Sequence, residues 1–79
     1  MSSTTSIIKR NTPTAREILA VNLIRLRTER KWSQEILAFE SGLHRTFIAH
    51  VERQARNISL DNIEKIAKAF NVEAFHLLK

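Results

Sequence analysis

QEILAFESGLHRTFIAHVER, residues Gln34 to Arg53, is the stretch on which the reading of this chain turns. Leu37 and Ala38 give its first half an apolar face, and Ile48 and Val51 give one to its second half. Gly42 stands between the halves, where the chain has to reverse. Glycine takes a left-handed conformation there with no Cβ penalty. Ala38 is small where two steeply crossing helices need close approach. The side of the second helix left over from the core carries Arg45, Thr46, Ala49, His50 and Arg53, so it is basic and rich in hydrogen-bonding groups. Two short helices, a tight turn and such a face form the pattern of a helix-turn-helix whose second helix enters a DNA major groove.

Upstream, Thr14-Ala15-Arg16-Glu17 fits a capping box, and Leu19, Leu23 and Leu26 then recur at helical spacing, so a first helix should run from Thr14 to about Arg30. Four later helix starts share one device, an apolar residue before the cap that packs on another five positions on. The pairs are Trp32 with Leu37, Leu43 with Ile48, Ile58 with Ile63, and Val72 with Leu77. The caps between them are Ser33, His44, Ser59 and Glu73, of which the serines are the favoured types. A fourth helix, roughly Leu60 to Phe70, places Leu60, Ile63, Ile66, Ala67 and Phe70 on one face, and Asn71 is suited to a left-handed stop. A last short helix, Ala74 to Leu78, carries Phe75, Leu77 and Leu78. That is more apolar surface than one small core needs, so Phe75 and Leu78 are read as the anchors of a homodimer contact. The expected fold is all-α with five helices.

Residues 1–12 are polar and rich in serine and threonine and read as a flexible tail, with residues 13–79 as the folded domain. Lys9 and Arg10 could bring the tail to a phosphate backbone, against the simpler reading of a chain end with no role. The chain has 79 residues, 43% of them hydrophobic and 27% charged, which is the balance of a single soluble domain near the lower size limit for independent stability. A second copy is a common way for so small a domain to bury more apolar surface. No apolar run approaches a membrane span and no secretory core is present; without cysteine, nothing ties the chain to an oxidising compartment. A cytoplasmic protein is the expectation. The net charge of +5 points to a polyanionic partner. Seven of the basic residues lie between Lys9 and Lys31.

The segment WSQEILAFESGLHRTFIAHVER, followed by RNISLDNIEKIAKAF, resembles the lambda-repressor/Cro-like (XRE-type) DNA-binding domains. Within that family the run RTFI, ER and RNIS is most similar to the controller proteins of restriction–modification systems. The resemblance implies a dimer that regulates transcription from a pseudo-palindromic operator, with RNA polymerase as a further partner. It also implies that Arg27 pairs with Glu52, holding the first helix against the third. Gln34, at the start of the second helix, would contact the DNA backbone and brace the recognition helix. Lys31 departs from the family's usual glycine, and Gln54 from its usual glycine or asparagine.

On these grounds Arg45, Thr46, Ala49 and His50 are the candidate base-contacting residues, since the first residues of a recognition helix reach base edges. Arginine matches guanine O6 and N7, and threonine can touch a thymine methyl or donate to a base. Gln34, Arg53, Gln54, Arg56 and Asn57 are the candidate phosphate contacts, which position without specifying sequence. Each has a simpler reading as a solvated surface side chain. No catalytic, metal or cofactor site is expected: His44, His50 and His76 lack metal-ligand spacing, and one glycine cannot build a phosphate-binding loop. A phage-type repressor and an antitoxin remain rivals to the controller reading, and a protein-interaction module is the rival from another class.

Overall fold

The fold begins at Thr14, whose hydroxyl accepts the Glu17 N–H at 3.1 Å while Glu17 Oε1 accepts the Thr14 N–H at 2.8 Å. This reciprocal pair satisfies two amides that a helix start otherwise leaves open. From it runs α1, Ala15–Glu29, with Leu19, Leu23 and Leu26 buried along one stripe. The computed structural model describes residues 12–79, so the tail expected at residues 1–12, with Lys9 and Arg10, lies almost entirely outside the described residues. Three more α-helices follow: α2, Gln34–Ser41; α3, Arg45–Glu52; and α4, Leu60–Phe70. The fifth helix, Ala74–Leu78, is a 3-10 helix, closed by a His76 N–H bond to the Glu73 carbonyl at 3.0 Å. So short a segment suits i to i+3 bonding. No strand occurs among the described residues, and no helix there is long and apolar enough to cross a membrane.

Each α-helix ends the same way. Lys31, Gly42, Gln54 and Asn71 are left-handed, at φ 59°, 75°, 62° and 60°. The next residue's N–H reaches a carbonyl five residues back: Trp32 to Arg27 at 2.9 Å, Leu43 to Ala38 at 3.0 Å, Ala55 to His50 at 2.8 Å and Val72 to Ala67 at 3.0 Å. This is the Schellman arrangement, which uses carbonyls that a helix terminus would otherwise leave unpaired. Trp32, Leu43 and Val72 are therefore shared. Each follows the left-handed stop of one helix and precedes the cap of the next, and each packs against the core. One apolar side chain thus fixes the exit from one helix and the entry into the next. Ser33 and Ser59 cap α2 and α4 by accepting from Ile36 N and Asn62 N at 3.1 Å, whereas His44 and Glu73 make no capping bond through their side chains.

The core consists of the α1 leucines with Leu37, Ala38, Ile48, Val51, Ile63, Ile66, Ala67, Phe70 and Leu77. Trp32 stacks on Phe70 with ring centroids 5.6 Å apart, and Arg30 donates to the Phe70 carbonyl at 2.7 Å, covering the end of α4. Leu60 does not join the core stripe expected of α4; it is 76% exposed. Helical Cβ atoms tilt toward the N-terminus, so a residue at the first position overhangs the end of the core. Two buried polar residues complete the packing. Ser41 donates to the Ala38 carbonyl at 3.3 Å, and Asn22 donates to the Leu77 carbonyl at 2.9 Å, with His76 and Lys79 carbonyls at 3.4 and 3.3 Å. The Asn22 amide thereby ties the 3-10 helix to α1.

Candidate nucleic-acid interface

The reversal at Gly42 sets α3 against α2. A Cβ built on Gly42 would meet no atom within 4 Å, so the demand for glycine is conformational, arising from the left-handed backbone and not from crowding. Ile48 and Val51 are buried, and α3 packs on both α1 and α2.

Glu52 holds this helix in place. Its carboxylate accepts from Arg27 Nε at 2.8 Å, Arg27 Nη2 at 2.9 Å and Gln34 Nε2 at 2.9 Å. The Glu52 side chain is 5% exposed and that of Arg27 17%. Arg27 also donates from Nη1 to the Trp32 carbonyl at 3.0 Å, just past the end of its own helix. The first turns of α2, the end of α1 and the end of α3 are thus joined through one carboxylate. A bidentate guanidinium pair fixes orientation as well as distance.

The side of α3 turned away from buried Ile48 and Val51 is free of such partners. Arg45, Thr46 and Arg53 are exposed there, and Ala49 and His50 are half-buried. Ala49 and His50 stand three and four residues after Thr46, and four and three before Arg53, the spacing of one helical face. The chain after α3 forms a rim. Gln54 occupies the left-handed stop, and Arg56 lies over the Phe47 ring at 5.6 Å from its centroid. The Asn57 side-chain oxygen accepts from Arg16 Nη2, which attaches the start of α1 to this rim. An open groove of about 770 Å³ runs between them, with Leu19, Val51, Ile58 and Ile63 among its lining residues.

Phe47 and Arg16 were not read as site residues from the sequence. Phe47 follows Thr46 on α3 but faces the rim. Arg16 stands 41 positions before Asn57, so no local pattern connects them. At the far end of the chain, Phe75 is 58% exposed and Leu78 36%, while Leu77 is buried, as its pairing with Val72 requires. Among the described residues no cluster of three His, Cys, Asp or Glu side chains could hold a metal ion.

A family model described as helix-turn-helix matches residues 23–77. The control protein C.BamHI of Bacillus amyloliquefaciens is 57% identical over 58 residues, which cover 73% of this chain and 70% of that protein. A hypothetical transcription factor of Neisseria meningitidis is 49% identical over 63 residues, 80% of this chain, and the chain spans 59% of that relative's length. The crystal structure of the Neisseria protein superposes with a TM-score of 0.80 at 46% identity, covering 85% of this chain and 80% of that one. The restriction–modification controller protein C.Esp1396I, solved as a tetramer with its natural 35 base-pair operator, superposes with a TM-score of 0.74 at 30% identity, covering 85% of this chain and 92% of that one. The helix-turn-helix at Gln34–Glu52, the pair of Arg27 with Glu52 beneath it and these matches agree: the chain belongs to the XRE-type helix-turn-helix family, among the restriction–modification controller proteins.

Proposed function

We propose that this chain is a transcriptional regulator that binds a pseudo-palindromic DNA operator as a homodimer and controls the operon of a restriction–modification system. The observation that carries the reading is the free face of α3, on a helix packed through Ile48 and Val51 and anchored at its end by the three hydrogen bonds to Glu52. A helix so fixed can place side chains against base edges without first losing freedom of its own. Arg45 and Thr46 open that helix and are assigned to base edges, with Ala49 permitting close approach and His50 reading one turn later.

Gln34, Arg53, Gln54, Arg56 and Asn57 border the same face and are assigned to the phosphate backbone. Gln34 Nε2 donates one hydrogen to Glu52, and its second hydrogen and the Gln34 backbone N–H, at the positive end of α2, are the groups assigned to a phosphate. Phe75 and Leu78 are the exposed apolar residues assigned to the two-fold contact. Where the bound dimer lies beside a promoter, RNA polymerase is the further partner, and the cytoplasm is the compartment in which both are met. The work of such a protein is binding, and no reaction is assigned to it.

Selection of duplexes from a random pool tests the proposal, followed by affinity measurements across salt concentrations. One enriched inverted repeat is expected, with log K falling by about 0.9 per decade of salt for each phosphate neutralised. Absence of enrichment, or binding indifferent to salt, would contradict it.

A further inference from the structure

His50 Nδ1 is the one buried side-chain nitrogen or oxygen among the described residues that has no hydrogen-bond partner. The other ring nitrogen, Nε2, is not enclosed in this way, and the His50 side chain as a whole is half-buried on the free face of α3. The His50 carbonyl is already engaged, accepting the Ala55 N–H at 2.8 Å. The ring therefore has one nitrogen enclosed by the protein and one that is not.

We propose that His50 reads a hydrogen-bond acceptor on a base edge through Nε2–H, and that the interior of the protein sets this polarity before DNA arrives. The inference rests on the operator-binding reading above and names what that site accepts at one position. The two neutral tautomers of imidazole differ in which nitrogen carries the hydrogen, and the partner of one nitrogen decides the role of the other. A hydrogen on Nδ1 would be an enclosed donor with no acceptor, the arrangement that folded proteins avoid most strictly. A lone pair in that place is better tolerated, so the hydrogen belongs on Nε2. The imidazolium also carries a hydrogen on Nε2, so the outward group donates in either form.

In the major groove the matching acceptors are purine N7, guanine O6 and thymine O4, while the cytosine and adenine amino groups are donors and do not fit. Asparagine or glutamine would present both a donor and an acceptor at such a position. Histidine held in this way presents only the donor, so the choice of base is narrower. Thr46 and Arg53 lie one turn away on either side along the same face, and Ala49 leaves room for the ring to approach.

Two measurements on the full chain test this. Long-range proton–nitrogen NMR correlation on the free protein, with the ring neutral, should show the Nε2–H pattern for His50. In the second, each half-site position of the selected duplex is changed singly, removing an acceptor (7-deazapurine for N7, 2-aminopurine for guanine O6, 5-methyl-2-pyrimidinone for thymine O4) or a donor (purine for adenine). One acceptor deletion should weaken wild-type binding about three- to tenfold and leave the affinity of His50→Ala unchanged. An Nδ1–H pattern overturns the proposal, as does a His50-dependent effect confined to a donor deletion. A protein that selects an operator but shows no His50-dependent position overturns this inference alone. One that enriches no duplex overturns the operator reading and this inference with it.

Discussion

Replacing Glu52 by alanine removes one carboxylate and strands three donors. Arg27 loses the partner of both Nε and Nη2 and keeps only the Trp32 carbonyl, and Gln34 Nε2 is left unpaired. Breaking one side of a buried pair costs about 3–5 kcal/mol, because the remaining charge stays where water solvates it poorly. Arg27 retains some exposure, so the lower end applies, about 3 kcal/mol. For a domain of this size that is a large part of a total of roughly 5–8 kcal/mol. Urea unfolding at fixed protein concentration should show it as a midpoint lower by about 2–3 M, for an m-value near 1–1.5 kcal/mol/M. Changing both partners, Arg27→Met with Glu52→Met, removes the stranded charge together with the pair, and should lie within about 1 kcal/mol of wild type. That asymmetry is what separates a pair that orients the helix from one that supplies net stability. The reasoning fails if Glu52→Ala unfolds within 1 kcal/mol of wild type, or if the double variant loses as much as the two single variants together.

Three further outcomes follow from particular residues. Lys31 is left-handed at φ 59°, so Lys31→Gly should relieve about 1 kcal/mol and raise Tm by roughly 4–8 °C with operator affinity unchanged; a lower Tm would contradict the strain. Asn22→Leu removes the donor to the Leu77 carbonyl and should cost about 1–3 kcal/mol in chemical unfolding, with faster amide exchange in the 3-10 helix; unaltered exchange would show that Asn22 does not hold that segment. Leu78→Glu should turn a sedimenting dimer into a monomer and weaken operator binding, whereas a dimer as robust as wild type would exclude Leu78 from the contact.

The helix boundaries were legible because they rest on local chemistry. Ser33, Ser59 and the Thr14–Glu17 pair are short-range signals, and Trp32, Leu43 and Val72 each mark two helix ends at once, so those three junctions are written twice. Gly42 and Asn71 advertise left-handed turns by residue type. Lys31 and Gln54 do not: the family resemblance marks both as departures from its usual residues, and the left-handed backbone of Gln54 comes from the structure. What escaped the reading is long-range. The burial of Asn22 depends on carbonyls more than fifty residues away. Arg16 meets Asn57 only once α1 has packed beside the end of α3. Leu60 fits the apolar period of α4, and only the position of the core's edge leaves it exposed. The enclosed nitrogen of His50 has no counterpart in any spacing rule, since it depends on which way a ring turns within a packed helix.

The most direct test of the account compares Arg45→Ala with Arg56→Ala on the selected operator, on singly substituted operators and on random DNA, each across a range of salt. Arg45→Ala should lose about 1–3 kcal/mol on the operator, relax preference at one base pair in each half-site, and bind random DNA nearly as well as wild type. Arg56→Ala should weaken every duplex by a similar factor and flatten the salt slope by about one phosphate. Equal losses for both variants on specific and random DNA would contradict the assignment of α3 to base edges and of its rim to the backbone.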